Sequence, residues 1–219
     1  GRLALARAFE KANNWKDARD GITLHGKTDP AIVEWVYLQR RNFPPTSAET
    51  ARIFGLYLGE LAGSLAEAEG FRVLPGVGRL LARLSVREDA ITGLATGNIE
   101  RGAREKLRRA RLNHRFAFGG FGSDAKERSD IIRAGVERAR ERLPGGVEPL
   151  LWVVGDTPAD VQAGKTAGVR TVAVSTGGAD AETLRETRPD VLLADLGDAE
   201  AFLSMLDSAA ERASPAGAS

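Results

Sequence analysis

The sequence predicts an α/β fold built on a doubly wound parallel sheet, with a helical region in front of it. Three observations point there. From Pro75 onward, short apolar segments alternate with segments of helical spacing, the βαβα grammar of a parallel sheet covered by helices. Residues 150–154 read LLWVV, a fully apolar run of the kind buried on both faces inside such a sheet. The stretch up to about Gly70 shows helical spacing and helix-boundary residues.

Taken in order, Leu3, Leu5, Ala6 and Phe9 form a short apolar stripe. Asp29-Pro30 reads as an N-cap followed by proline at the first helical position, opening a helix over 31–40 that Pro44-Pro45 ends. Ser47, with Glu49 and Thr50, opens another helix through Ile53, Leu56, Tyr57, Glu60 and Leu61, with Gly70 as its C-cap. Residues 77–84 read as helix, 90–95 (AITGLA) as strand and 99–111 as a basic amphipathic helix. A short strand over 116–118 and a helix over 129–143 lead to the LLWVV strand. A helix over 160–167 and strands over 171–174 and 191–193 complete the core. From about Ser208 the chain is small and polar and is expected to fray.

At 219 residues there is room for one large domain or a core with a smaller lobe. Basic residues number 31 and acidic residues 30, so no bulk positive field draws nucleic acid. The absence of cysteine excludes disulfides, thiolate nucleophiles and zinc-thiolate sites, and suits a cytoplasmic protein. No apolar run approaches the ~18 residues that span a bilayer, and the first residues lack a secretory pattern, so no membrane partner is expected.

In open α/β sheets ligands bind outside the carboxyl ends of the strands, and two polar clusters fall there. Thr96-Gly97-Asn98 follows AITGLA at the start of a helix. A hydroxyl and free backbone N–H groups at a helix N-terminus make a phosphate cradle, and the same residues also serve as a plain N-cap. The second cluster is Gly155, Asp156, Thr157, Pro158, Ala159 and Asp160, after LLWVV. Two carboxylates four residues apart, at a strand end and the first turn of the next helix, can converge on one Mg²⁺, which takes hard oxygen ligands. A turn role for Asp156 and a cap role for Asp160 are the structural alternatives. His25 and His114 are too few and too far apart for a metal pair, and Trp15, Trp35 and Trp152 read as packing residues.

These pieces together resemble the haloacid dehalogenase (HAD) superfamily, in particular its phosphoglycolate-phosphatase-like members. LATGN (94–98) is similar to the family's second motif, and VVGDTPADVQAGKTAGVRTVAV (153–174) to its fourth. LPGVGRLLARL (74–84) looks like the segment that re-enters the core after the family's helical cap, and HGKTDPAIV (25–33) like a segment within such caps. The resemblance implies a helical cap domain over 5–73, an α/β core over 74–208 and a flexible tail over 209–219. It implies a Mg²⁺-dependent phosphatase acting on a small phosphorylated metabolite through an aspartyl-phosphate. Thr96, Gly97 and Asn98 would hold the phosphoryl oxygens. Arg128, or Lys126 two positions upstream, would offset their charge. Asp156 would bind Mg²⁺, with Asp160 a further ligand or a support, and Lys27, Thr28 and Asp29 would select the leaving group. The family's first motif, Asp-x-Asp at the end of the first core strand, is not found before the cap region. Asp17 and Asp20 lie in a polar stretch with no strand ahead of them. The chain opens at Gly1-Arg2-Leu3-Ala4, which resembles the stretch just after that motif, so the expectation is an inactive fragment lacking its first strand and nucleophile.

Two rivals remain. A degenerate HAD-like module that binds without catalysis accounts for the missing motif. GITLHGKT, with Gly21, Gly26, Lys27 and Thr28, fits a P-loop and suggests an NTPase. A P-loop needs a buried strand before its first glycine, however, and KANNWKDARD supplies charges there.

Overall fold

A computed structural model describes residues 1–16, 18, 26–177 and 179–213. Its N-terminal part is three helices, α1 (Arg2–Asn13), α2 (Asp29–Arg41) and α3 (Ser47–Ala66). Thr28, not Asp29, is the N-cap of α2: its hydroxyl accepts from Ala31 N at 3.3 Å, and proline follows in the first turn. Thr46 and Glu49 cap α3 reciprocally, satisfying two of the amides that a helix start leaves without partners. The helix closes at Glu67 rather than Gly70, which lies in the following turn with φ 73°. The three helices enclose one core of Leu5, Phe9, Val33, Val36, Tyr37, Ile53, Tyr57 and Leu61. Trp15 meets the Tyr37 ring edge-on at 4.9 Å between centroids, and Trp35 packs at the margin of the same core.

The remainder alternates helix and strand. It runs α4 (Val77–Leu84), β1 (Leu94–Thr96), α5 (Glu100–Arg109), a 3-10 turn at Asn113–Arg115, β2 (Gly119–Phe121) and α6 (Arg128–Arg140). Then come β3 (Trp152–Gly155), α7 (Pro158–Ala167), β4 (Arg170–Val174), α8 (Ala181–Glu186), β5 (Val191–Leu193) and α9 (Ala199–Ala213). All pairings are parallel: β1 with β2 in one sheet, and β3-β4-β5 in another. The chain winds over both faces of the larger sheet, as the sequence predicts. Leu80 from α4 and Phe202 and Leu203 from α9 cover Val172 and Val174 on one face, where Trp152 also packs. On the other, Ile132 of α6 and Ala163 of α7 meet Val153, while Val161 of α7 and Leu184 of α8 meet Ala173. Helix α6 also packs on β1 and β2, so it ties the two sheets together. Among the described residues β1 and β3 each carry a strand partner on one side only, and Val154 in β3 is 45% exposed.

Several expectations need correction. The second strand is at 119–121, not 116–118, because its glycines are what let α6 lie against it. A side chain at Gly120 would run into the Ile131 carbonyl, and one at Gly119 into Leu94. The strand expected over 90–95 is shorter and later, pairing only from Leu94. Helices α8 and α9 go beyond the sequence expectation. Asp180 caps the first, accepting from Thr183 N at 2.8 Å, and Asp198 accepts from Ala201 N at 2.9 Å at the start of the second. Residues 209–213 therefore belong to a helix, with Ala209 buried, and not to a flexible tail. Residues 214–219, Asp17, Asp20, His25 and the first five positions of GITLHGKT lie outside the described residues. His114 is exposed and belongs to none of the buried clusters. Among the described residues no helix is long and apolar enough to cross a membrane.

Candidate functional site

The end of β3 is shaped by its own local sequence. Thr157 leaves the strand extended and caps α7, its hydroxyl accepting from Asp160 N at 3.2 Å. Asp160 answers with Oδ2, which accepts from Thr157 N at 3.1 Å and from its hydroxyl at 2.7 Å. Pro158 fits the first turn, where its missing N–H costs nothing. Gly155 permits the tight return: a Cβ there would lie 2.7 Å from the Asp160 carboxyl carbon. The other Asp160 oxygen pairs with Arg128, at the first position of α6. Arg128 Nε also donates to Gly26 O at 2.9 Å.

Both Asp160 oxygens are thus engaged, and Asp156 stands differently. It makes no hydrogen bond or ion pair with any described residue, and its carboxylate lies against Gly177, where any side chain would collide with it. Mg²⁺ commonly takes one or two protein carboxylates and fills its octahedron with water and substrate phosphate. Asp156 fits such a single-carboxylate role, with Asp160 holding the helix start beneath it. Among the described residues no three acidic or histidine side chains converge.

The end of β1 is shaped from far away in sequence. Asn98 N donates to Thr96 Oγ1 at 3.2 Å, closing a small turn before α5. Asp29, at the first turn of α2, then takes hold of that turn. Its N–H donates to Gly97 O at 2.7 Å, while its carboxylate accepts from Ile99 N at 2.9 Å and from Asn98 Nδ2 at 3.2 Å. Lys106 Nζ donates to Asn98 Oδ1 at 2.8 Å, and Gly122 N donates to Asn98 O at 2.8 Å. Asp29 is 7% exposed, and burial pushes its carboxyl above the usual range, against the pull of the Ile99 N–H and the Lys106 charge. Burial likewise pushes the Lys106 ammonium down, opposed by Asp29.

One short segment touches both clusters. Gly26, with φ 78°, lies beside Ala159 and accepts from Arg128, while Thr28 packs so closely on Gly97 that a Cβ on Gly97 would sit 3.0 Å from the Thr28 Cα. Thr28 is buried and donates to Lys126 O at 3.2 Å. Of the residues expected to select a substrate, only Lys27 is exposed. Of the two basic candidates, Arg128 joins the β3 cluster, while Lys126 pairs with Glu34 at 2.7 Å on a side chain 57% exposed. The helix after Gly26-Lys27 opens on the Thr28 cap, and among the described residues ahead of Gly21 (11–16 and 18) none is in a strand. Lys106, Gly122 and Gly177 carried no signal in the sequence, since each acts through a partner distant along the chain. Beside the β1 turn, a cleft of 710 Å³ is lined by Pro30, Phe54, Leu58, Ile99, Ser123 and Lys126.

Residues 133–199 match the HAD-hydrolase-like family model. No curated protein sequence shows significant similarity to the chain. Solved structures share its fold. One is described as a predicted phosphoglycolate phosphatase from Haemophilus somnus 129PT, with TM-score 0.63 and 19% identity, matched over 93% of this chain and 89% of its own. CbbY from Rhodobacter sphaeroides, solved as a mutant with xylulose-1,5-bisphosphate, gives TM-score 0.66 and 19% identity over 90% of this chain and 87% of its own. A hydrolase from Pseudomonas syringae gives 0.62 and 17% over 94% and 91%. The chain therefore has the HAD-type fold, with a HAD-hydrolase-like segment from 133 to 199.

Proposed function

We propose, from that segment and fold, that this chain carries the phosphate- and metal-holding parts of a Mg²⁺-dependent phosphatase for small phosphate monoesters. The observation that supports the reading most is the shared segment. Gly26 reaches Arg128 and Ala159, Thr28 and Asp29 reach Gly97, and so the two polar clusters form one locus at the strand ends.

In this reading Thr96 and the Gly97 and Asn98 amides receive the phosphoryl oxygens, and Arg128 offsets their charge while anchored by Asp160. Asp156 is the protein ligand for Mg²⁺, and Asp160 keeps the α7 start in place. When bound, the ion supplies charge neutralisation at the phosphoryl oxygens. Helices α1–α3 act as a cap that shields the locus from water, and the neighbouring cleft receives the leaving group, with Lys126 at its polar side. The bisphosphate bound by CbbY supports a small phosphorylated substrate. The attacking carboxylate of this chemistry belongs to an Asp-x-Asp motif, and no Asp-x-Asp occurs in the 219 residues. Turnover by this chain alone is accordingly not expected.

The test is in the gene. An apolar strand ending in Asp-x-Asp should be encoded on the 5′ side of the Gly1 codon, and the full encoded chain should hydrolyse p-nitrophenyl phosphate with Mg²⁺. If no such strand is encoded, the catalytic reading falls and a binding module takes its place.

A further inference from the structure

Sequence context groups Asp29 with Lys27 and Thr28 as residues that select a leaving group, but its surroundings fit another task. We propose that Asp29 is a positioning residue: from the helical lobe it holds Gly97, Asn98 and Ile99 in the shape that receives a phosphoryl group. This rests on the reading of that turn as a phosphate cradle.

A buried carboxylate is costly unless its oxygens are satisfied, and here both are, by groups of the turn itself. Its own N–H holds the Gly97 carbonyl, so one residue fixes three successive positions of the turn. The Asn98 amide has only one workable orientation. A carboxylate can only accept and an ammonium can only donate, so Nδ2 faces Asp29 and Oδ1 faces Lys106. With Gly122 N on the Asn98 carbonyl, the turn is gripped by α2, α5 and the segment after β2. The Asn98 backbone N–H is meanwhile bonded to Thr96 Oγ1, a contact an incoming phosphoryl oxygen can replace.

Charge alone argues the other way, and that makes the idea testable. A carboxylate beside an anion site repels the anion, so its neutralisation should tighten phosphate binding. If Asp29 positions the turn, neutralisation should weaken it. The experiment is a titration of the isotope-labelled chain with inorganic phosphate, read at the Gly97, Asn98 and Ile99 amide resonances. Asp29→Asn should bind phosphate about tenfold more weakly, the scale of a lost charged hydrogen bond. Its Ile99 amide proton should also move upfield before phosphate is added. Lys106→Gln, which loosens the far side of Asn98, should weaken binding by about threefold. A folded Asp29→Asn chain that binds phosphate as tightly as the parent, or more tightly, overturns the proposal. If Asp29→Asn does not fold, the outcome is decided by Asp29→Glu, which keeps the charge but moves the carboxylate off Asn98 and Ile99, and there unchanged affinity has the same meaning. A parent chain whose turn ignores phosphate sinks the cradle reading and this inference together. A response kept at the parental affinity in Asp29→Asn sinks the inference alone.

Discussion

The two strand ends that meet the Gly26-to-Asp29 segment are built in opposite ways. After β3, the shape is written within six residues: glycine for the close return, threonine and aspartate capping each other, proline between them. After β1, the turn has only the Thr96 hydroxyl of its own, and its other restraints come from Asp29, Lys106 and Gly122. The first region is a property of a peptide and the second a property of the folded chain. Damage to the first should stay local, whereas damage to the second should spread.

Gly122→Ala tests the spreading case hardest. Its new methyl would run into the Gly97 carbonyl, a backbone atom that cannot swing away, so a loss of about 3 kcal/mol in urea unfolding is expected. The perturbed amide resonances should include residues of α2 as well as β1. Next comes Asp160→Ala, which removes one half of the capping box and leaves Arg128 with only the Gly26 carbonyl. A cost of about 2 kcal/mol is expected from the lost cap and charged bond. Its Asn98 and Ile99 amide shifts should stay at their parental values; movement there would erase the distinction between the two regions. Thr157→Ala should cost about 1 kcal/mol, seen as faster hydrogen exchange confined to the first turn of α7.

The smallest effect is a control that bonds to neither strand end. Glu49 repeats the capping box at the start of α3, and the Arg41 hydrogen bond draws its carboxyl down from 4.5 to about 2. A carboxyl lowered by folding stabilises the protein above its unfolded value, and that contribution fades as pH falls from 4.5 towards 2. Glu49→Gln should therefore flatten the thermal midpoint over that interval and leave the phosphate response of the β1 turn alone.

The same contrast explains how much was legible in the sequence. The Thr-Pro-Ala-Asp turn, the LLWVV strand and the Val191–Leu193 strand are local signals, and the structure has them close to or at their expected places. The β2 strand lies away from its expected place because aromatic residues at 116–118 are better strand formers than glycine, whereas its position is set by the room α6 needs. The last helix escapes a sequence reading although alanine is the strongest helix former, because its small residues resemble a solvated end. Thr96-Gly97-Asn98 is visible as a cradle or a cap, but its Asp29 partner lies 69 and 70 residues from the atoms it binds.

The Gly26-to-Asp29 segment also sets a rule for anyone who wants to recombine such proteins. Because Thr28 and Asp29 are at once the start of α2 and the restraint on Gly97 and Asn98, the seam between lobe and core does not run between them. A chimera that takes its lobe from a relative should keep these residues with the core, or import the relative's β1 turn together with its lobe.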